Sequence, residues 1–237
     1  MDRLFHLKET YLQNIENSSS YQNREFILLN YNSQDSIDSW VRENLKDHLK
    51  SGLVKYYKTT EAKWWVAAHA KNIAHKQADG DLLCNLDCDN FVVPGFCEYV
   101  VGLFAKGRFE KDIILAAPES DPRGNRGTCG MITCRKEHFY SVNGYDESIN
   151  LGWSMEDTNF QFRCRMHNNL DLAVLDINYT KCIGHGNETR TKNCQLKDPI
   201  FTKKVSENLT IDCAAEKNYI ANKDVKWGEA QLVKILK

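Results

Sequence analysis

No stretch of the sequence approaches the roughly 18–20 consecutive apolar residues of a membrane span. The N-terminus, MDRLFHLKETYLQNIEN, lacks the apolar core and small-residue cleavage site of a signal peptide. If the chain is complete, these absences predict a soluble, cytoplasmic protein. Charge of either sign is nearly balanced, at a formal net −1, which argues against a nucleic-acid binder that works through bulk positive charge. A local basic groove stays open. The nine cysteines include no CxxC pair, and an odd, scattered set suits reduced thiols better than a disulfide framework. Finger-like Cys/His spacing is also missing, so zinc has little support. The sequons at Asn17, Asn178, Asn187 and Asn208 are read as chance matches. No internal repeat is evident.

What is present is an ordinary globular composition. Hydrophobic residues make up 42% and charged residues 27% of 237 positions, enough for one large domain or two small ones. Leucines, Phe5, Tyr11 and Ile15 recur at helical spacing at the start, and residues 17–25 read as a connector. A strand begins at FILLNY and breaks into a polar loop, followed by a helix from about Ser36 to Leu49. GLVKYYKTTE is a second strand. Residues 62–78 are a second helix, with Trp64 and Trp65 assigned to core. DLLCNLDCD is the third strand, with Cys84 packed inside. This β-α-β-α-β order points to an α/β, doubly wound, mostly parallel sheet with flanking helices. Such sheets bind ligands outside the carboxyl ends of their strands. In the second half, 112–118, 130–135 and 171–176 read as strands and 155–169 as a helix. ESDPRGNRGTCG is a loop that could flank the site. The chain is expected to be mostly helical after Asp198.

Two constellations carry chemistry. Asp87 and Asp89, at the tip of the third strand, can reach one small volume once the backbone turns. Close carboxylates repel unless a cation lies between them, and hard oxygen ligands suit Mn²⁺ or Mg²⁺. The bland alternative is a solvated turn. The second is NGYDESINLGWSMED. There Gly144 suits a positive φ, and Trp153 precedes a helix opening with Glu156 and Asp157. Acidic residues are favoured at a helix N-terminus by its dipole. Equally, an exposed tryptophan can stack on a sugar ring while a carboxylate takes a hydroxyl proton.

LLCNLDCDN, taken with CGMITCRKEHFYSVNGYDESINLGWSMEDTNFQFRCR, resembles the nucleotide-sugar glycosyltransferases of the Rossmann-like GT-A fold. The opening helix with FILLNYNS and the segment AHAKNIAHKQADGD add to the likeness, which spans about residues 1–190. The second half is most similar to the β-1,4-galactosyltransferase group. The resemblance implies a single domain over 1–237, with a nucleotide-binding half (1–110), an acceptor and catalytic half (111–195) and a helical segment (196–237). It implies that Asp89 and His185 bind Mn²⁺ (or Mg²⁺), with Asp87 at the ribose or the metal's water shell. Tyr31, Asn32, Glu61, Lys71 and Cys88 would line the donor site, with Asn72 near them. Asp157 would be the general base, and Trp153 and Glu156 would contact the acceptor. Lys181, Arg190 and Lys192 could help hold the diphosphate. The implied reaction moves a sugar from a nucleoside-diphosphate sugar, expected to be UDP-linked, to a glycan or other hydroxyl-bearing acceptor, with inversion. Ser154 and Met155 stand where galactosyltransferases favour two glycines, so acceptor shape is not carried over. The alternatives are a metal-dependent nucleotidyltransferase, disfavoured because no Gly-rich basic loop follows the first strand, and a non-catalytic nucleotide- or sugar-binding relative.

Overall fold

The computed structural model describes residues 1–118 and 127–234. Helix α1 (Leu4–Asn17) is followed by β1 (Phe26–Tyr31), α2 (Ile37–Asn44), α3 (Lys46–Ser51), β2 (Val54–Thr59), α4 (Ala67–Lys76) and β3 (Leu82–Cys84). Next come β4 (Asn90–Val92), α5 (Phe96–Leu103), β5 (Ile113–Ala116), β6 (Ile132–Arg135), α6 (Lys136–Ser141) and α7 (Glu156–Asn168). The chain ends with β7 (Asp171–Val174), β8 (Thr180–Cys182), α8 (Asn187–Thr191), α9 (Pro199–Glu216) and β9 (Val233–Lys234). None of the described helices is long and apolar enough to cross a membrane.

The α/β class and the β-α-β-α-β opening stand as expected. Strands β1 and β2 are parallel, joined by the crossover through α2 and α3. Their register sets Tyr31 beside Thr59, so both carboxyl ends lie together. The single, mostly parallel sheet expected is instead divided: β1 and β2 form one sheet with β9, which runs antiparallel to β2, and β3 belongs to a second. In the order β3-β6-β5-β7, β6 runs antiparallel to both β3 and β5, while β5 and β7 are parallel. Strands β4 and β8 form a separate antiparallel pair. These two were not foreseen, because three-residue strands carry no readable alternation.

Helix α1 covers the β1–β2 layer with a stripe of Leu4, Leu7, Tyr11 and Ile15, all buried against Leu28, Trp40, Val41 and Tyr56. Each leucine and isoleucine of the stripe contributes about 1.5–3 kcal/mol by leaving water. Phe5 falls off the stripe and is exposed. The helix expected over 36–49 is divided at Leu45, whose side chain is fully buried. The expected helix 62–78 begins only at Ala67, because the N–H of Trp65 donates to the Asn193 carbonyl at 2.8 Å. Trp64 is consequently exposed rather than core. Cys84, also expected in the core, is exposed, and Leu83 fills the buried position on that strand. Of the expected loop ESDPRGNRGTCG, residues 119–126 lie outside the described residues.

A second core joins β3, β5 and β6 to α6 and α7 through Leu83, Ile114, Ile132, Phe139 and Phe160. His75 of α4 docks there, stacked on Phe139 at 5.1 Å, with its Nδ1–H donating to the Lys71 carbonyl at 2.7 Å. Burial lowers its pKa from 6.5 to about 4. Between those values the unfolded chain binds the extra proton, so this contribution is complete above pH 6.5 and is lost as pH falls toward 4. A His75→Gln variant should therefore lose about 2 kcal/mol less than the parent chain between pH 7 and pH 5. Urea unfolding at the two pH values checks this; equal losses would show that His75 is not held neutral.

Candidate active site

Three segments meet at the carboxyl end of β3. The first is the turn after that strand. Asn85 donates from its amide to Asp87 Oδ1 at 3.0 Å and to the Gly130 carbonyl at 2.8 Å. The Asn90 N–H closes the turn on the Asp87 carbonyl at 2.9 Å. This folding sends the two aspartates to different neighbours. Asp89 is buried, its Oδ1 accepting from the Asn90 side chain at 3.1 Å and its Oδ2 lying 2.6 Å from His185 Nε2. The Ile183 N–H donates to the Asp89 carbonyl at 2.8 Å, which brings the strand leading to His185 alongside. Burial, and then the charge of Asp87, raise the Asp89 pKa, while His185 and Arg3 oppose the shift.

Asp87 instead faces the start of α7. A Cβ built on Gly130 would stand 2.5 Å from Asp87 Oδ2 and 3.2 Å from Asp157 Oδ2. Real Cβ atoms do not approach that closely, so a glycine lets carboxylates from β3 and α7 converge.

The second segment, GWSMED, is positioned by α9, a helix in which no motif was readable. Asp198 caps α9 through the Ile200 and Phe201 N–H groups at 3.0 and 3.1 Å, with Pro199 in its first turn. Ser206 then accepts from the Met155 N–H at 3.0 Å, and Thr202 donates to the Trp153 carbonyl. Before this segment, the NGYD turn is pinned from two sides. Arg163, fully buried, donates to the Val142 and Gly144 carbonyls at 3.0 and 2.7 Å. Asn72 holds both the N–H and the carbonyl of Tyr145. Gly144 has the positive φ expected of it, at 66°.

The third segment is α4, which supplies Lys71. Its ammonium donates to Glu156 Oε1 at 3.0 Å and Asp157 Oδ1 at 2.5 Å. Burial alone would lower the Lys71 pKa, but Asp157, Glu156 and Asp87 outweigh it and raise the pKa well above 10.5. For Asp157, burial is the largest effect and raises the carboxyl to about 7, with Glu156 and Asp87 adding to it and Lys71 opposing. Ser154 Oγ completes the cluster at 3.1 Å from Glu156 Oε2.

Not every expected site residue gathers here. Tyr31 and Glu61 line a separate cavity of about 270 Å³ at the ends of β1 and β2, together with Lys63, Trp64 and His69. The Tyr31 hydroxyl is 2.7 Å from His69 Nδ1. Ala230 also borders this cavity, and the Gln231 N–H donates to Glu61 Oε2 at 2.9 Å. Asn32 follows Tyr31 with φ 52° and donates to the Ala62 carbonyl at 2.8 Å. Lys71 stands with the carboxylates of α7 rather than with these residues. Asn72 is a buried scaffold for the NGYD turn. Cys88 packs against the α1–β1 core, where its carbonyl accepts from Thr10 at 2.7 Å, so it separates the aspartates rather than facing a ligand. Trp153 is partly exposed, with the Arg190 guanidinium 5.2 Å over its ring. Lys181 lies over Phe91 at 4.7 Å.

Among the described residues, Asp112, Glu137 and His138 are the trio whose possible ligand atoms all approach within 4.8 Å. They lie at the opposite end of β5 and β6 from Gly130, and Asp112 already pairs with Arg135 at 2.5 Å.

Beyond the end of β3, then, Asp89 pairs with His185 while Asp87 faces a helix that opens with two more carboxylates. A family model described as glycosyl transferase family 2 matches residues 6–166. The chain belongs to that family. A crystal structure of S. aureus TarS 1-349 is similar at 15% identity and a TM-score of 0.54, over 72% of this chain and 54% of that one. The chain thus spans about half the length of that TarS structure. The catalytic domain of Drosophila β1,4-galactosyltransferase 7, solved in complex with xylobiose, aligns at 15% identity and a TM-score of 0.47, over 79% of each chain. No curated protein matches. The fold is the GT-A fold of glycosyltransferases, as the sequence resemblance implied.

Proposed function

We propose that the chain transfers a sugar from a nucleoside-diphosphate sugar, UDP-linked by preference, to an acceptor hydroxyl with inversion. The observation that carries this reading is the meeting of Asp87 and Asp157 across Gly130. It sets a candidate base beside a candidate donor site, from segments 70 residues apart.

Asp157 is the general base. Its Oδ1 is taken by Lys71, which fixes the carboxylate and leaves Oδ2, on the Gly130 side, to accept a proton. The acceptor oxygen attacks the anomeric carbon as it gives that proton to Asp157. The bond from that carbon to the diphosphate breaks on the opposite face, and its electron pair leaves on the phosphate oxygen. One displacement with one base inverts the anomeric centre. Trp153 and Glu156 are assigned to the acceptor, the ring as a stacking surface and the carboxylate as a hydroxyl partner. Tyr31 and Glu61 are assigned to the nucleotide through the cavity they line, and Asn32 through its bond to the carbonyl of Ala62, another lining residue.

The donor atoms available suit Mn²⁺ or Mg²⁺. A buried carboxylate, a nearby imidazole and a second carboxylate two residues away are the oxygen and nitrogen ligands such ions accept. Asp89 and His185 would hold the ion, with Asp87 on its water shell or the ribose. The ion, when bound, neutralises the leaving diphosphate as a Lewis acid. Asp89→Ala should abolish metal-dependent binding of a nucleoside diphosphate in a calorimetric titration. Unchanged affinity would remove Asp89 from the metal site.

A further inference from the structure

Beside Asp89 lies a cation that no sequence motif marks. Arg3 immediately precedes α1, a helix fastened along the segment that carries the acidic pair. Thr10 donates to the Cys88 carbonyl at 2.7 Å, Asn14 donates to the Asn90 carbonyl at 2.9 Å, and the Val92 N–H returns to Asn14 Oδ1 at 2.9 Å. These bonds bring the first turn of α1 to the Asp89–His185 pair.

We propose that Arg3 binds the diphosphate of the donor, held ready for it by His6 and by α8, the helix that follows His185. The inference rests on the donor reading above and adds to it a residue from outside the acidic motifs.

Two contacts orient the guanidinium. Nη2 donates to the Thr189 carbonyl at 3.0 Å, and Nη1 lies 3.1 Å from His6 Nδ1. Arginine can only donate, so His6 Nδ1 is the acceptor and the ring proton sits on Nε2. His6 is buried and stacks on His185 with ring centroids 5.3 Å apart. Arg3 Nη1 is 4.0 Å from Asp89 Oδ2, beyond hydrogen-bond reach. The two form an ion pair without a hydrogen bond, and the Arg3 side chain keeps 20% of its surface exposed.

A fixed positive charge next to a metal ligand works against the metal. It favours the anion that the metal would bridge, and a planar guanidinium matches phosphate oxygens in two-point contacts. Two of the other basic candidates are directed elsewhere, Lys181 over Phe91 and Arg190 over Trp153.

The sign of two binding changes separates this role from a structural one. Calorimetry would first titrate Mn²⁺ alone, then UDP, GDP, CDP and dTDP in saturating Mn²⁺, into the parent chain, Arg3→Gln and Arg3→Lys. The expected result for Arg3→Gln is Mn²⁺ affinity unchanged or tighter, with the bound nucleoside diphosphate weakened at least about tenfold. Arg3→Lys, which keeps the charge and loses the fork, should fall between. Undiminished nucleoside-diphosphate affinity in Arg3→Gln would overturn the proposal. So would a parallel loss of both affinities, which marks a structural prop for α8. If the unsubstituted chain binds none of the four with Mn²⁺, the donor reading itself fails and takes this inference with it.

Discussion

Asp157→Asn should leave donor binding largely intact and cut turnover by about 10²–10⁴-fold, the usual scale for removing a general base. The amide is isosteric with the carboxylate. Its oxygen can still accept from Lys71, so the start of α7 keeps its place. Only the capacity to take the acceptor's proton is lost. Steady-state rates beside calorimetric donor affinity make the distinction. Near-normal turnover would remove Asp157 from the chemistry, whereas loss of donor binding in step with rate would mean that the substitution disturbed Asp87 across Gly130.

The largest effect on stability should come from Lys71→Met. Lys71 and Glu156 have only 8% and 7% of their side-chain surface exposed, and Asp157 has 22%. Taking away the ammonium that contacts both leaves two carboxylates side by side without that compensation. Removing one partner of a buried ion pair costs about 3–5 kcal/mol. The penalty belongs to the ionised carboxylates; Lys71 holds the Asp157 carboxyl down, so its folded-state pKa rises further when the ammonium is lost. The folded variant then binds more protons than its unfolded chain, so its stability falls as pH rises. Urea unfolding should accordingly show a larger deficit at pH 7 than at pH 5. A deficit under about 1 kcal/mol, or one independent of pH, would mean that the carboxylates reach solvent without Lys71.

How much of this was legible in the sequence follows from which contacts are local. Strands β1 and β2 are apolar runs with polar ends, and their boundaries were readable. So was the start of α7 at Glu156–Asp157 and the left-handed Gly144. Lys71 was singled out, but for the nucleotide, because nothing in the sequence relates position 71 to positions 156 and 157. The same holds for Gly130, an ordinary loop glycine until two distant carboxylates are seen to converge on it. Arg3 and His6 look like polar positions on an amphipathic helix, and only the docking of α1 on residues 88–92 brings them to Asp89. Trp64 reads as core in the sequence because the helical pattern extends through it. A hydrogen bond from Trp65 to Asn193, 128 residues away, delays the helix and leaves that side chain at the rim of a cavity. Local pattern revealed the acidic residues; long-range packing decided which of them meet.

The central claim is metal-dependent use of a nucleotide sugar at the β3 tip. A thermal-shift panel of nucleotide sugars, with and without Mn²⁺, tests it most directly. The account predicts that at least one donor raises the melting temperature only when Mn²⁺ is present, and that donor names the sugar. Stabilisation by a nucleotide sugar to the same extent with and without metal, or by none of them, would contradict it.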